Sequence, residues 1–341
     1  MSMFITILVT VLIFGVLVVS HEFGHFIAAR KCGVDVLEFS VGMGPLLWKR
    51  KKDKTQYSLR LIPIGGFCRM NGEDPEEEGT GEGTLYAAPA GKRMLIMAAG
   101  ALMNFAVAVV IFFVILCMVG NEASTVIDTV SEGSAAYEAG IVSGDTILSI
   151  DGDAIDEWDD ITDHIRGGDG SSIAVSVKKA SGETVTYDIV PRYNETEGAY
   201  LIGITPRVRT NVVKAFFRSF YLVGFYIVMI LRLLGDIIRG SAGLESFTGP
   251  IGATVIIGRY IPQGIMYVLE IAASISVSLG LFNLLPIPAL DGSRLLFSFI
   301  ELLRGKPVDR TLEAKIHTVG MIVLMGFAVF IAYRDVVTYI L

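Results

Sequence analysis

The chain has 341 residues, 52% of them hydrophobic, a mean hydropathy of +0.59 and a net charge of −7. It is too apolar for an ordinary soluble protein and too charged for a bare helix bundle, which leaves a membrane protein carrying a polar domain. The acidic balance gives nucleic-acid binding no support, and Cys32, Cys68 and Cys117 form neither a C-x-x-C pair nor a disulfide framework.

Four apolar stretches are long enough to span a bilayer: about 3–29, 94–119, 267–287 and 316–333. No basic n-region precedes the first and no small-x-small site follows it, so it reads as a retained helix and not a signal peptide. Near its end stands His21-Glu22-Phe23-Gly24-His25. Residues i and i+4 share a helix face, so both histidines can offer a ring nitrogen to one metal ion, and Glu22 can reach a water there. H-E-x-x-H arises by chance in soluble proteins, but three ionisable groups within five residues of a membrane span are costly without a use. The spacing predicts a zinc site with Glu22 as its base.

A loop rich in Lys and Arg follows, at 30–93. Within it, alternating Tyr57, Leu59 and Leu61 before Pro63-Ile64-Gly65-Gly66 suggest short strands and a turn. The acidic run 73–83 reads as a flexible, solvated loop with no chemistry. Beyond the second span, the block 121–208 is lysine-poor and soluble in character. Next comes 209–264, in which 216–234 is apolar enough to be a span. Lys214, Arg218, Arg232, Asp236 and Arg239 punctuate its ends, so an interfacial or partly embedded helix is the alternative.

The third ligand is sought in Asn283-Leu-Leu-Pro286-Ile-Pro288-Ala-Leu-Asp291-Gly292. Two prolines break the helix, which a membrane tolerates only where the backbone is buried in protein or lines a wet cavity. Asp291, just past the break, can turn inward to a metal or simply cap the next helix at 293–303. His317 is a rival ligand without a partner at metal spacing, and His164 falls in the acidic block. Lysines and arginines at 30–93 and 304–315 place those loops in the cytoplasm, with the acidic block and both termini outside. Asp291 then meets His25 only if the third span runs in the same direction as the first, so a zinc site requires 216–234 not to cross.

On these residues the chain resembles the bacterial site-2 protease family, the zinc metalloproteases of regulated intramembrane proteolysis, over essentially its whole length. Beside the two motifs above, the resemblance uses Pro63-Ile-Gly65-Gly66-Phe67, Gly100-Ala-Leu-Met-Asn104-Phe105 and Thr248-Gly249-Pro250-Ile251-Gly252. Ser293 stands where a second glycine is common, Ala101 where proline is common, and Cys68 where an ordinary apolar residue is usual; none of these removes a ligand or the base.

The resemblance implies an α-helical membrane protein with four transmembrane helices, a re-entrant β-hairpin at 57–70 and one inserted extracytoplasmic PDZ domain (α+β). Its domains would be 1–120 with the first two helices and the hairpin, 121–208 the PDZ domain, 209–264 an amphipathic or partly embedded segment, and 265–341 the last two helices. Zn2+ would be held by His21, His25 and Asp291, with Glu22 catalytic and Asn283, Gly65, Gly66 and Phe67 binding substrate. Asn104 is expected to hydrogen-bond a neighbouring helix. Within 121–208, 131–152 is similar to bacterial PDZ domains, and Tyr200-Leu-Ile-Gly203-Ile204 resembles their peptide-end-binding loop and strand. The implied setting is the cell membrane, with the active site toward the cytoplasm. Its partners would be single-span membrane proteins trimmed first by a site-1-type protease, with anti-sigma-factor release and signal-peptide clearance both open. A non-catalytic scaffold binding exported protein ends through the PDZ domain is the alternative, and the intact Glu22 speaks against it.

Overall fold

The computed structural model describes residues 3–73, 81–243 and 247–339, so most of the acidic run 73–83 lies outside the described residues. The chain divides into two compact units, Met1–Phe112 with Ser219–Leu341, and Phe113–Arg218.

In the first unit, α1 (Met3–Cys32) leads into two long strands, β1 (Val36–Lys52) and β2 (Thr55–Met70), and then α2 (Ala90–Val119). The two strands fold into four segments. Leu46–Lys52 pairs antiparallel with Thr55–Arg60, and Val36–Val41 pairs antiparallel with Gly66–Met70. Glu38–Val41 also lies opposite Gln56–Leu59, in the same direction, which joins the two hairpins into one sheet. The bends between segments use positive-φ glycines at Gly42, Gly44 and Gly65. Pro63 reaches α1 at Gly15, where an added Cβ would stand 3.0 Å from the Pro63 carbonyl oxygen.

The remaining helices of this unit are α5 (Val212–Arg239, most of whose length belongs here), α6 (Pro250–Tyr260), α7 (Ile265–Leu284), α8 (Asp291–Arg304) and α9 (Arg310–Tyr339). Among the described residues five helices are long and apolar enough to cross a membrane: α1, α2, α5, α7 and α9. The third of the four expected spans ends earlier than its apolar run. Pro286 pushes Leu285 into an extended conformation (φ −66°, ψ 144°), and the helix stops at Leu284. The Thr248–Gly252 motif is a helix start. The Gly249 and Gly252 N–H groups donate to the carboxylate of Asp335, a fully buried acid that α9 lends to the first turn of α6.

Small residues bring α1, α2 and α7 close, as helices in lipid require. A Cβ at Gly24 would stand 2.3 Å from the Ala99 carbonyl oxygen, and one at Gly280 would stand 3.0 Å from that of Ala101. Ser276 Oγ of α7 donates to the Asn104 carbonyl of α2 (2.8 Å).

The second unit holds β3 (Glu122–Val130), β4 (Thr146–Ile150), β5 (Asp153–Ala154), β6 (Ile173–Lys178), β7 (Thr184–Ile189), β8 (Arg192–Asn194), β9 (Ala199–Leu201) and β10 (Ile204–Arg209), and its antiparallel sheet runs in the order β10-β3-β4-β6-β7. Alternating positions such as Ile173, Val175 and Val177 are buried with Ile127, Ile147, Ile150 and Ile161 in one aliphatic core. Two short helices, α3 (Ala135–Ala139) and α4 (Trp158–Arg166), pack on it; Ser134 caps the first and a Glu157–Asp160 capping box starts the second.

Candidate metal centre

One face of α1 presents His21 and His25, both buried, and the start of α8 presents Asp291. Asp291 Oδ2 lies 3.0 Å from His21 Nε2 and 3.1 Å from His25 Nε2, and the two ring nitrogens are 3.2 Å apart. Donor atoms of a tetrahedral zinc, bound at about 2.0–2.1 Å, stand roughly 3.3 Å from one another. The triangle therefore has the size and the donor chemistry of three protein ligands to one zinc ion.

The far sides of the rings agree. His25 Nδ1–H donates to the Ile96 carbonyl (2.8 Å), which leaves its Nε2 lone pair for a metal. His21 Nδ1 faces the Asn104 side-chain amide at 3.3 Å, while the other end of that amide, Oδ1, is buried without a partner. Amide nitrogen and oxygen are placed by their neighbours. Turned over, the Asn104 oxygen accepts from His21 Nδ1–H and frees the second Nε2. Ile96, Gly100 and Asn104 thus form one i, i+4, i+8 stripe of α2 laid along the histidines. Gly100 sits in the middle: a Cβ there would stand 2.4 Å from His25 Nε2 and 2.7 Å from His21 Cε1.

The proline break delivers Asp291. The α8 helix begins at Asp291 with Leu290 as a cap that contributes no side chain, so the carboxylate is turned to the histidines instead of capping the helix. Gly292 makes the fold-back possible, since a Cβ there would lie 2.0 Å from the Leu285 carbonyl oxygen. His317 is not among the three clustered donors. Its Nδ1 accepts from the Ala289 N–H (3.2 Å) and its Nε2 lies 3.2 Å from Ser293 Oγ. His164 belongs to the second unit, beside Asp153.

Glu22 is half-buried and lies beside β2. Gly66 lies alongside: a Cβ there would stand 3.7 Å from Glu22 Cγ. Gly65 (φ +91°) turns the strand, and the Phe67 ring lies under the Arg60 guanidinium, 5.0 Å from its centroid. Asn283 lies in the last turn of α7, partly exposed. The roles of Asn104 and His317 were not legible beforehand, although Gly100 and Asn104, four apart in an apolar span, marked the stripe.

Fold and donor set together define a multi-pass membrane metalloprotease. The sequence pattern of peptidase family M50 matches residues 9–327, and the chain belongs to this family of site-2 zinc metalloproteases. The zinc metalloprotease RasP of Geobacillus kaustophilus is 29% identical, with 97% of each chain covered. The regulator of sigma-W protease RasP of Bacillus subtilis is 28% identical, covering 97% of this chain and 98% of that one. Among solved structures, the PDZ domain of the SdrC-like protein from Listeria monocytogenes is similar at 23% identity and a TM-score of 0.23, covering 25% of this chain and 90% of that domain.

Proposed function

We propose that the chain hydrolyses peptide bonds in or near the transmembrane segments of single-span membrane proteins, with His21, His25 and Asp291 as the zinc ligands and Glu22 as the general base. The observation that carries this is the convergence of the three donors, 3.0–3.2 Å apart, with Asp291 lying 270 and 266 positions from His21 and His25 in sequence. Zinc, when bound, supplies Lewis acidity to the scissile carbonyl and acidifies water. Glu22 takes the proton of the attacking water and later gives it to the leaving amine nitrogen. A helical substrate hides its carbonyls in its own hydrogen bonds and has to be unwound. The segment Gly66–Met70, paired on one edge only among the described residues and adjoining Glu22, offers main-chain groups to an extended peptide. Gly65, Gly66 and Phe67 belong to this edge, and Asn283 contacts the substrate backbone from α7.

The hairpin is re-entrant in this proposal. Pro63 meets α1 at Gly15, about 25 Å from the Cys32 end by the helical rise, a depth inside any bilayer that α1 spans. The outer segment supports it: Leu46, Leu47 and Trp48 are exposed and apolar, and then Lys49, Arg50, Lys51 and Lys52 are exposed and basic. Polarity changes along the strand and not between its faces, as a depth gradient demands. Four helices cross, and α5 does not. His25 near the end of α1 meets Asp291 just past the end of α7, so both helices run in one sense, and with α2 returning the chain between α2 and α7 makes no net crossing. At 11 residues α6 is too short to undo a crossing by α5. The basic loops put the active site toward the cytoplasm and the second unit outside, in the cell membrane.

The second unit, in this proposal a PDZ domain over 121–208, supports a peptide site between α4 and β10: Trp158, Ile161, Ile165 and Leu201–Ile204 line a cavity of about 130 Å3. It takes the new ends of substrates already trimmed outside by another protease. Anti-sigma factors are one such class, as the name of the Bacillus subtilis relative suggests, and remnant signal peptides are another. The test uses purified full-length enzyme. Glu22→Gln should abolish cleavage with zinc retained, whereas His21→Ala, His25→Ala and Asp291→Ala should lose zinc as well. A Glu22→Gln protein that still cleaves would leave the scaffold reading standing.

A further inference from the structure

Asp291 is met by two histidines on one side; its loop is also held from the other. The Ala289 N–H donates to His317 Nδ1 (3.2 Å), His317 Nε2 lies 3.2 Å from Ser293 Oγ, and Ser293 Oγ–H donates to the Leu290 carbonyl (2.8 Å). These bonds fix the ring's protonation. Nδ1 accepts from a backbone N–H, so Nε2 carries the proton and gives it to the serine oxygen, whose own proton goes to Leu290. The groups tied down, the 289 N–H, the 290 carbonyl and the 293 hydroxyl, bracket Asp291 on both sides.

Two further features belong to the clasp. Ala289 has φ +75°, a left-handed conformation that an alanine holds only when its surroundings impose it. Gly320, one turn beyond His317, lets α9 close on the break: a Cβ there would stand 2.3 Å from Pro288 Cβ. By the family resemblance Ser293, the middle member of the relay, stands where a second glycine is common, and glycine offers no hydroxyl.

We propose that His317, acting through Ser293 and the Ala289 N–H, is a positioning residue that clamps 288–293 against α9 and so aims the Asp291 carboxylate at His21 and His25. The proposal rests on Asp291 being a zinc ligand. His317 is then a neutral donor and acceptor, never a ligand itself.

The test uses full-length protein in detergent, with metal retention against a competing chelator, the visible spectrum of the cobalt-substituted protein, and kcat and KM on a transmembrane peptide. Losing an outer partner of a metal ligand typically weakens metal binding about 10- to 100-fold. His317→Ala should fall at the lower end, roughly tenfold, with kcat reduced and KM unchanged. His317→Asn places an amide oxygen where Nδ1 stood, keeps the Ala289 bond, and should recover most of the loss with an unaltered cobalt spectrum. Ser293→Gly should weaken retention too, and the double variant with His317→Ala should be no worse than His317→Ala alone, since both cut one link.

Wild-type retention in both His317→Ala and Ser293→Gly overturns the clamp, and the Ser293→Gly arm stands if His317→Ala fails to fold. Equal losses in His317→Ala and His317→Asn with a changed cobalt spectrum also overturn it, by making His317 a ligand. Asp291→Ala is the separate control: full metal there overturns the ligand assignment underneath, whereas lost metal there with both clamp variants intact overturns the clamp alone.

Discussion

Gly100→Ala puts one methyl group into the metal centre and changes little else. Its Cβ would stand 2.4 Å from His25 Nε2 and 2.7 and 2.8 Å from His21 Cε1 and Nε2. Ordinary carbon contacts lie at about 3.5–4.0 Å, so α2 must withdraw from α1 by about 1 Å or both rings must turn. Zinc sites tolerate about 0.2 Å of error in ligand distance. Overpacking of this kind costs about 1–3 kcal/mol, and if it falls on the ligand geometry the metal affinity drops roughly 5- to 150-fold. Helix propensity acts the other way, with alanine favoured over glycine by about 1 kcal/mol in a helix interior. The helix should therefore persist while the site fails. Gly326→Ala is the matched control, also inside a helix but with open space around the new Cβ. Zinc content by mass spectrometry, helicity by circular dichroism and cleavage of a membrane substrate read the outcome. Full zinc and wild-type cleavage in Gly100→Ala would refute the close approach of α2 to the histidines.

Asn104→Ala leaves His21 Nδ1–H without its acceptor and should weaken zinc binding about 10- to 100-fold, with Asn104→Asp retaining most of it; equal zinc affinity in all three proteins removes Asn104 from the site. The chain has two tryptophans, so Trp158→Phe makes Trp48 the sole reporter, and lipids brominated on their acyl chains should quench it; no quenching would sink the re-entrant hairpin. Reporter fusions at 52 and 306 should be cytoplasmic, with 170 and 243 both external, and opposite sides for the last pair would make α5 a true span. In the second unit, burial lowers the Lys179 pKa, but its hydrogen bond to the buried Asp145 outweighs this and holds the pKa above the ordinary lysine value. The stabilisation is complete below about pH 10 and lost as pH rises through the raised pKa, so hydrogen exchange in that unit should quicken above pH 10. Lys179→Met, by stranding Asp145, should cost about 2–3 kcal/mol at pH 7 in the same measurement, and unchanged protection there would show the pair to be dispensable.

The three clustered donors stood out in the sequence because each part of the pattern violates what a membrane span normally allows. Two histidines and a glutamate in an apolar helix, and two prolines ending another, are expensive unless used. Pattern alone does not say where helices touch. Asn104 read as a polar residue bridging helices, and only the approach of α2 to α1 shows that its partner is a histidine ring. His317 read as a rival ligand, since a lone histidine carries no sign of whether it will face a metal or a backbone N–H. The hairpin's strands were visible in the alternation of Tyr57, Leu59 and Leu61. Its second pairing, Glu38–Val41 against Gln56–Leu59, was not, because it joins segments across two bends.

Those bends and approaches explain why the site needs so many positions without side chains. Lipid offers helices no hydrophobic reason to associate, so contact has to come from close backbone packing. Gly24 admits the Ala99 carbonyl, Gly100 admits both imidazoles, Gly292 folds α8 back onto the end of α7, and Gly320 admits Pro288. Each lies next to a donor or to the loop that carries one, and at each the nearest obstacle to a Cβ is backbone, a packed ring or a fixed side chain. Glycines away from the site, such as Gly224 and Gly235 of α5 and Gly326 of α9, face open space. The spacing of the candidate donors thus depends on how closely the helix axes approach. A variant keeping all of His21, Glu22, His25 and Asp291 can still lose its metal through a single methyl group on α2.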